Sequence, residues 1–111
     1  MDILFANDRT MKLINEERRL KREYGADGAK LIARRMYDLK AAASLKDVAL
    51  LPGRCEELRG NRKGQVSLRL HGGHRLVFEA ADEPLPRRPD GGLDWAAVRR
   101  IRILEIVNYH D

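Results

Sequence analysis

Six cations, Arg54, Arg59, Arg62, Lys63, Arg69 and Arg75, crowd residues 54–75, where the carboxylates are Glu56 and Glu57. Guanidinium forks match phosphate oxygens two at a time, and a glycine-containing turn such as RGNRKGQ can add backbone N–H donors, so this stretch suits a polyanion. The same cations would also serve as the solvated face of a hairpin. A second group, Asn108, Tyr109 and His110, follows at the end of the last strand-like run. Histidine titrates near neutral pH and can move a proton as acid or base, while a tyrosine ring can stack on a nucleobase or orient a phosphate. By themselves, three polar or aromatic residues in a row carry little.

Other chemistries find less support. His71 and His74 are spaced as H-x-x-H, but they flank Gly72-Gly73 with no cysteine or carboxylate set to complete a shell, so no metal is expected. Cys55 has no second cysteine and no clear histidine partner, which marks a buried or half-buried structural thiol and not a nucleophile. Neither a glycine-rich dinucleotide fingerprint nor a phosphate-binding P-loop occurs, and no cofactor is expected. Met11 and Met36 fit helix packing, and Trp95 fits the anchor of a loop end.

The elements that must position these groups form one domain, residues 1–111, because a chain of 111 residues has room for a single two-layer core. It is 43% hydrophobic with four prolines, which favours folding, and its formal charge of +5 favours an anionic partner. A lone cysteine excludes an intramolecular disulfide and fits a reducing compartment, with the cytoplasm as the expected location. No apolar run approaches a membrane span, and MDILFANDRT lacks the features of a signal peptide, so no membrane partner is expected.

Along the chain, DILF suits a first strand, with Asn7 or Asp8 as the cap of a helix through RTMKLINEERRLKREY that ends at Gly25. Asp27 then caps a second helix carrying Ile32, Met36, Leu39 and Ala43, antiparallel to the first, and Ser44 with Asp47 predicts a short helical turn. From residue 54 the period becomes two. Val66, Leu68 and Leu70 face a core while Gln65, Ser67 and Arg69 face out, HGG turns the chain, and Leu76, Phe78 and Ala80 face the core again. Residues 82–94 hold three prolines and two glycines and predict a long, exposed, mobile connection. A last strand follows in WAAVRRIRILEIVNYHD, its alternation blurred after Ile103, as expected of a strand covered on both faces or central in its sheet. This order gives an α+β fold with two N-terminal antiparallel helices on one face of a mostly antiparallel sheet.

LPGRCEELRGNRKGQVSLRLHGGHRLVFEA, followed by a strand ending EIVNYH, resembles the RelE/ParE superfamily of toxins from type II toxin-antitoxin systems, nearest the HigB branch. The similarity spans nearly the whole chain, including AKLIARRMYDLKAAASLKDV. It implies a RelE-like fold, a metal-independent messenger RNA endonuclease acting on the ribosome and inhibiting translation, and a helix-turn-helix, HigA-like antitoxin as partner. By motif, Arg59 and Arg75 would neutralise charge on the scissile phosphate, and Tyr109 and His110 match the family's closing D-Y-H. Asn108 replaces the acid there, and Glu56 stands where the family has a histidine. Metal-free RNA cleavage requires the 2′-hydroxyl deprotonated, the 5′-oxygen protonated and the phosphate charge offset. Glu56 or His110 would be the base, His110 or Tyr109 the acid or orienting group. Arg54, Arg62, Lys63, Arg69 and Asn108 would bind RNA. The two departures equally fit a RelE-fold module that binds without cutting, and the superfamily also contains gyrase-targeting ParE toxins.

Overall fold

The computed structural model describes residues 1–109, so His110 and Asp111 lie outside the described residues. The chain begins with strand β1, Asp2–Phe5, and helix α1, Asp8–Asn15. Asn7 is the cap, its side-chain oxygen accepting from the Thr10 amide at 2.8 Å.

The expected single helix through residue 24 is broken at Glu16, which is extended at φ −107, ψ 99 and caps the next helix, α2, Glu17–Ala41. On an unbroken helix Ile14 and Leu20 would stand about 120° apart and could not both point straight into one core. The break lets both enter the core, where both are buried. Gly25, at φ 74 and ψ 172, divides α2 into two helical segments, a backbone state that L side chains avoid. Three residues later, a Cβ on Gly28 would stand 2.8 Å from that of Tyr24, so the turn also depends on close approach. The second segment already includes Asp27, which therefore lies inside the helix instead of capping it. The short turn predicted at Ser44 is helix α3, Leu45–Ala49.

Strands β2 (Glu56–Glu57), β3 (Gln65–Arg69), β4 (His74–Ala80) and β5 (Arg100–Asn108) complete a five-stranded sheet in the order β1-β5-β4-β3-β2. β1 runs parallel to β5, and the other neighbours are antiparallel. Ile14, Leu20, Ile32, Leu39, Leu45 and Val48 from the helices pack on Val66, Leu68, Leu76, Phe78, Ile101 and Ile103 in one core. The architecture is the expected α+β arrangement, with helices on one sheet face. Among the described residues, no helix is long and apolar enough to cross a membrane.

The blurred alternation of the last strand has a local cause. Phe78 pairs with Ile103 but Val77 pairs with Glu105, so Leu104 is an extra residue, a β-bulge. Before it, Ile101 and Ile103 face the helices. After it, Ile106 does, opposite Leu76, while Glu105 and Val107 turn to the other face.

Within residues 82–94, which are mostly exposed as expected, 86–94 close into a small hairpin, an order that the sequence reading did not anticipate. Arg87 bridges Leu93, the Arg88 amide donates to the Gly92 carbonyl at 2.7 Å, and the Asp90 carboxylate accepts from the Gly92 amide at 2.8 Å. That last bond, aided by Arg88, holds the Asp90 carboxyl below its ordinary range. Asp-Gly-Gly chemistry closes the turn, and Trp95 packs partly buried against the core at its foot.

Candidate functional site

The sheet face turned away from the helices carries the candidate site. Strand alternation puts Glu56, Ser67, Arg69, Arg75 and Glu105 on it, because each lies one residue off from a core-facing neighbour. Arg75, from β4, is at the centre. Its Nη1 donates to the Ser67 hydroxyl at 3.1 Å and pairs with Oε2 of Glu56 at 3.5 Å. Its guanidinium carbon lies 5.7 Å from the centre of the Tyr109 ring, within cation–π range. The Arg75 side chain is only 17% exposed, so these contacts fix its direction.

Glu56 is held from both ends. Its other oxygen, Oε1, forms an ion pair with Nε of Arg54 at 3.1 Å. Arg54 adopts φ 50, an uncommon left-handed state for a residue with a Cβ, immediately after Gly53 at φ 125. Gly53 and β3 are joined by a 2.6 Å bond from the Arg69 amide to the Gly53 carbonyl, and the Arg69 carbonyl accepts from Nε of buried Arg35 at 3.0 Å. The helix layer thereby fixes the segment that presents Arg54.

Arg69 and Arg75 are direct cross-strand partners on this face, and Arg69 is exposed. Like charges opposite each other disfavour pairing unless an anion lies between or above them. The face thus has an excess of positive charge at one end.

Toward the other end the charges are matched. Arg62 donates to Oε1 of Gln65 at 2.8 Å and to Oε2 of Glu105 at 3.1 Å, reaching from the β2–β3 turn over β3 and β4 to β5. Arg102 donates to Glu79 at 2.8 Å. With these side chains above it, the face expected to be solvated is half covered, and Ser67 and Val77 are fully buried on it.

Of the residues singled out in the sequence, the structure brings together Glu56, Arg75, Tyr109 and Arg54 by direct contact, with Arg69 adjacent. Arg62 bonds to Gln65 and Glu105. Arg59 and Lys63 are exposed in the turn around the short 3-10 segment Gly60–Arg62. Asn108 pairs in register with His74, on the strand parity that faces the helices, where the His74 ring meets Tyr24 edge-on at 5.2 Å. Burial, followed by Glu23, raises the Tyr24 hydroxyl above its ordinary value. The proposed acid or base His110 lies outside the described residues.

Two participants escaped the sequence reading. Ser67 looks like one more outward polar residue of an alternating strand, and no local signal marks it as buried. Glu105 becomes a partner of Arg62 only because the bulge turns it to this face. Cys55 agrees with its expected structural role: it is partly buried, and desolvation, then Glu56, pushes its thiol pKa up to about 12. Among the described residues, no group of three or more His, Cys, Asp or Glu could hold a metal ion.

No protein-family model matches the chain, and no curated protein matches its sequence. Solved structures do match its fold. A structure described as a YoeB/ParE toxin from Agrobacterium tumefaciens is similar with a TM-score of 0.61 at 14% identity, over 99% of this chain and 100% of that one. A YoeB-YefM complex from Staphylococcus aureus contains a chain similar with a TM-score of 0.57 at 20% identity, over 100% of this chain and 98% of that one. A YoeB dimer from the same organism matches with a TM-score of 0.56 at 19% identity and the same coverage. The chain therefore has a YoeB/ParE-like fold.

Proposed function

We propose that this protein is a toxin of a type II toxin-antitoxin system, of the HigB kind, that cuts messenger RNA on the ribosome without a metal and is neutralised by a cognate helix-turn-helix antitoxin. The observation that carries this reading is Arg75, fixed by Ser67 and Glu56 beneath an aromatic ring on an open, cation-rich sheet face. The fold shared with YoeB proteins supports it, as does the solved assembly of one such protein with YefM.

The chemistry follows from the groups present. The scissile phosphate docks on Arg75 and Arg69, with Arg59 adding charge as the message backbone passes the turn. A base takes the 2′-hydroxyl proton, O2′ attacks phosphorus, and the 5′-oxygen leaves with a proton from the acid. Glu56 and His110 are the candidate bases, and His110 or Tyr109 is the candidate acid or orienting group. Arg75 stabilises the additional charge on the phosphoryl oxygens as the bond forms. Tyr109, half exposed, offers a base-stacking surface above the arginine. Arg54, Arg62, Lys63 and Asn108 are assigned to RNA contacts more distant from the reaction.

Induction of the protein alone, with mapping of new messenger 5′ ends, tests the proposal. Clustered ends within translated frames that vanish in Arg75→Ala are expected. Growth arrest that persists in Arg75→Ala with messages intact would overturn it.

A second reading, a non-cleaving binding module, has one observation in its favour: both carboxylate oxygens of Glu56 are already paired with arginines, Oε1 with Arg54 and Oε2 with Arg75. Soluble expression with neither arrest nor new ends would favour it. DNA damage signalling with intact messages would point instead to a ParE-like target.

A further inference from the structure

The arrangement of Glu56 is more specific than a catalytic role requires. It bridges two guanidinium groups, with Oε1 on Arg54 at 3.1 Å and Oε2 on Arg75 at 3.5 Å, and its side chain remains 42% exposed. Two anionic oxygens shared between two arginine forks is the geometry by which a phosphodiester would be held. Arg75 has another partner of a different character in Ser67, which is fully buried and cannot be displaced by solvent or solute. One contact of Arg75 is therefore permanent and the other exchangeable.

We infer that Glu56 is an internal competitor of the substrate: its carboxylate occupies the Arg54–Arg75 anion site, and a phosphodiester of single-stranded RNA enters by displacing it. This deepens, and rests on, the proposed RNA-cleaving site. Arg54 and Arg75 pair with Glu56, and Arg69 stands directly across the strand pair from Arg75, so among the described residues the site keeps excess positive charge with Glu56 in place. That excess draws a polyanion in, while a small monoanion gains too little to evict a carboxylate attached to the chain. Displacement also releases both Glu56 oxygens beside the bound phosphate.

The test is binding of a fluorescent, single-stranded 2′-O-methyl RNA oligonucleotide, about ten nucleotides long, which has no 2′-hydroxyl and is not cleaved. Wild type, Glu56→Gln, Glu57→Gln and Arg75→Ala are compared at one ionic strength. Glu57 is the control: it carries the same charge one residue on, paired with Val66 on the other strand parity. Glu56→Gln is expected to bind roughly three- to tenfold more tightly than wild type, because weakening two partly exposed ion pairs removes the competition. Glu57→Gln should differ little, and Arg75→Ala should bind more weakly. Unchanged or weaker binding by Glu56→Gln, or an equal gain in Glu57→Gln, overturns the competitor role and leaves the RNA site standing. Undiminished binding by Arg75→Ala overturns both.

Discussion

Arg75 and Ser67 form the fixed point of the site: Nη1 of the arginine donates to the hydroxyl of the fully buried serine at 3.1 Å, across neighbouring strands β3 and β4. A charged group that must meet a reacting phosphate gains most from pre-set direction, because a loose fork spends binding energy on ordering itself. Ser67→Ala should leave the fold intact, lower stability by about 0.5–1.5 kcal/mol for the lost bond, and reduce messenger cleavage. Thermal melting beside 5′-end mapping checks it. Full cleavage in Ser67→Ala would mean that Glu56 and Tyr109 suffice to aim the arginine.

Tyr109 lies over the same guanidinium at 5.7 Å. Tyr109→Phe keeps the ring and should keep RNA binding near wild type, whereas Tyr109→Ala loses both stacking surface and cation–π contact, about 1–3 kcal/mol by analogy with base–aromatic stacking. Affinity measured for the pair separates ring from hydroxyl. If binding is retained but Tyr109→Phe loses cleavage, the hydroxyl takes part in the chemistry.

Arg69 and Arg62 should behave differently although both are cations of the same hairpin. Arg69 is exposed beside Arg75, while Arg62 is engaged by Gln65 and Glu105. Arg69→Ala should lower affinity for single-stranded RNA and reduce the slope of log K against log salt by about 0.7. Arg62→Ala should change that slope less and show its effect as a modest loss of stability. Salt titrations of the two variants decide.

Cys55 supplies a pH dependence with a definite sign. Its pKa rises from 9.0 to about 12 on burial in the folded protein, so between those values the folded state retains a proton that the unfolded chain releases. Its contribution is fully present below pH 9 and is lost as pH rises toward 12. Cys55→Ser should flatten the alkaline fall in melting temperature over that window, and alkylation of native Cys55 at pH 8 should be slow. Rapid alkylation of the native thiol would show that it is not desolvated.

Phe78 is fully buried between the helices and the sheet, opposite the bulge. Phe78→Ala should cost about 3–5 kcal/mol, measured by denaturant unfolding. A loss under 1 kcal/mol would mean that the surrounding Ile103, Val66 and helix residues close the cavity.

Much of this protein was legible because local rules sufficed. Apolar residues at alternate positions of 65–70 and 76–80 could face only one core, Gly25 marked the end of a helical segment, and Asn7 or Asp8 offered a cap, of which Asn7 serves. The charge density of residues 54–75 pointed to the stretch that forms the candidate site for the same reason, since charge is a property of composition. What tertiary structure decided is the set of relationships between distant strands. Whether an outward serine is solvated depends on what crosses above it, and the Arg62–Glu105 bridge spans 43 residues of sequence. The bulge at Leu104 sets which residues of β5 meet Arg62, and it arises from pairing with β4, not from β5 alone. Glu56 is locally one more acid in a basic stretch. Only the register of β2, β3 and β4 places it between Arg54 and Arg75 and makes it the anion already resident in the site.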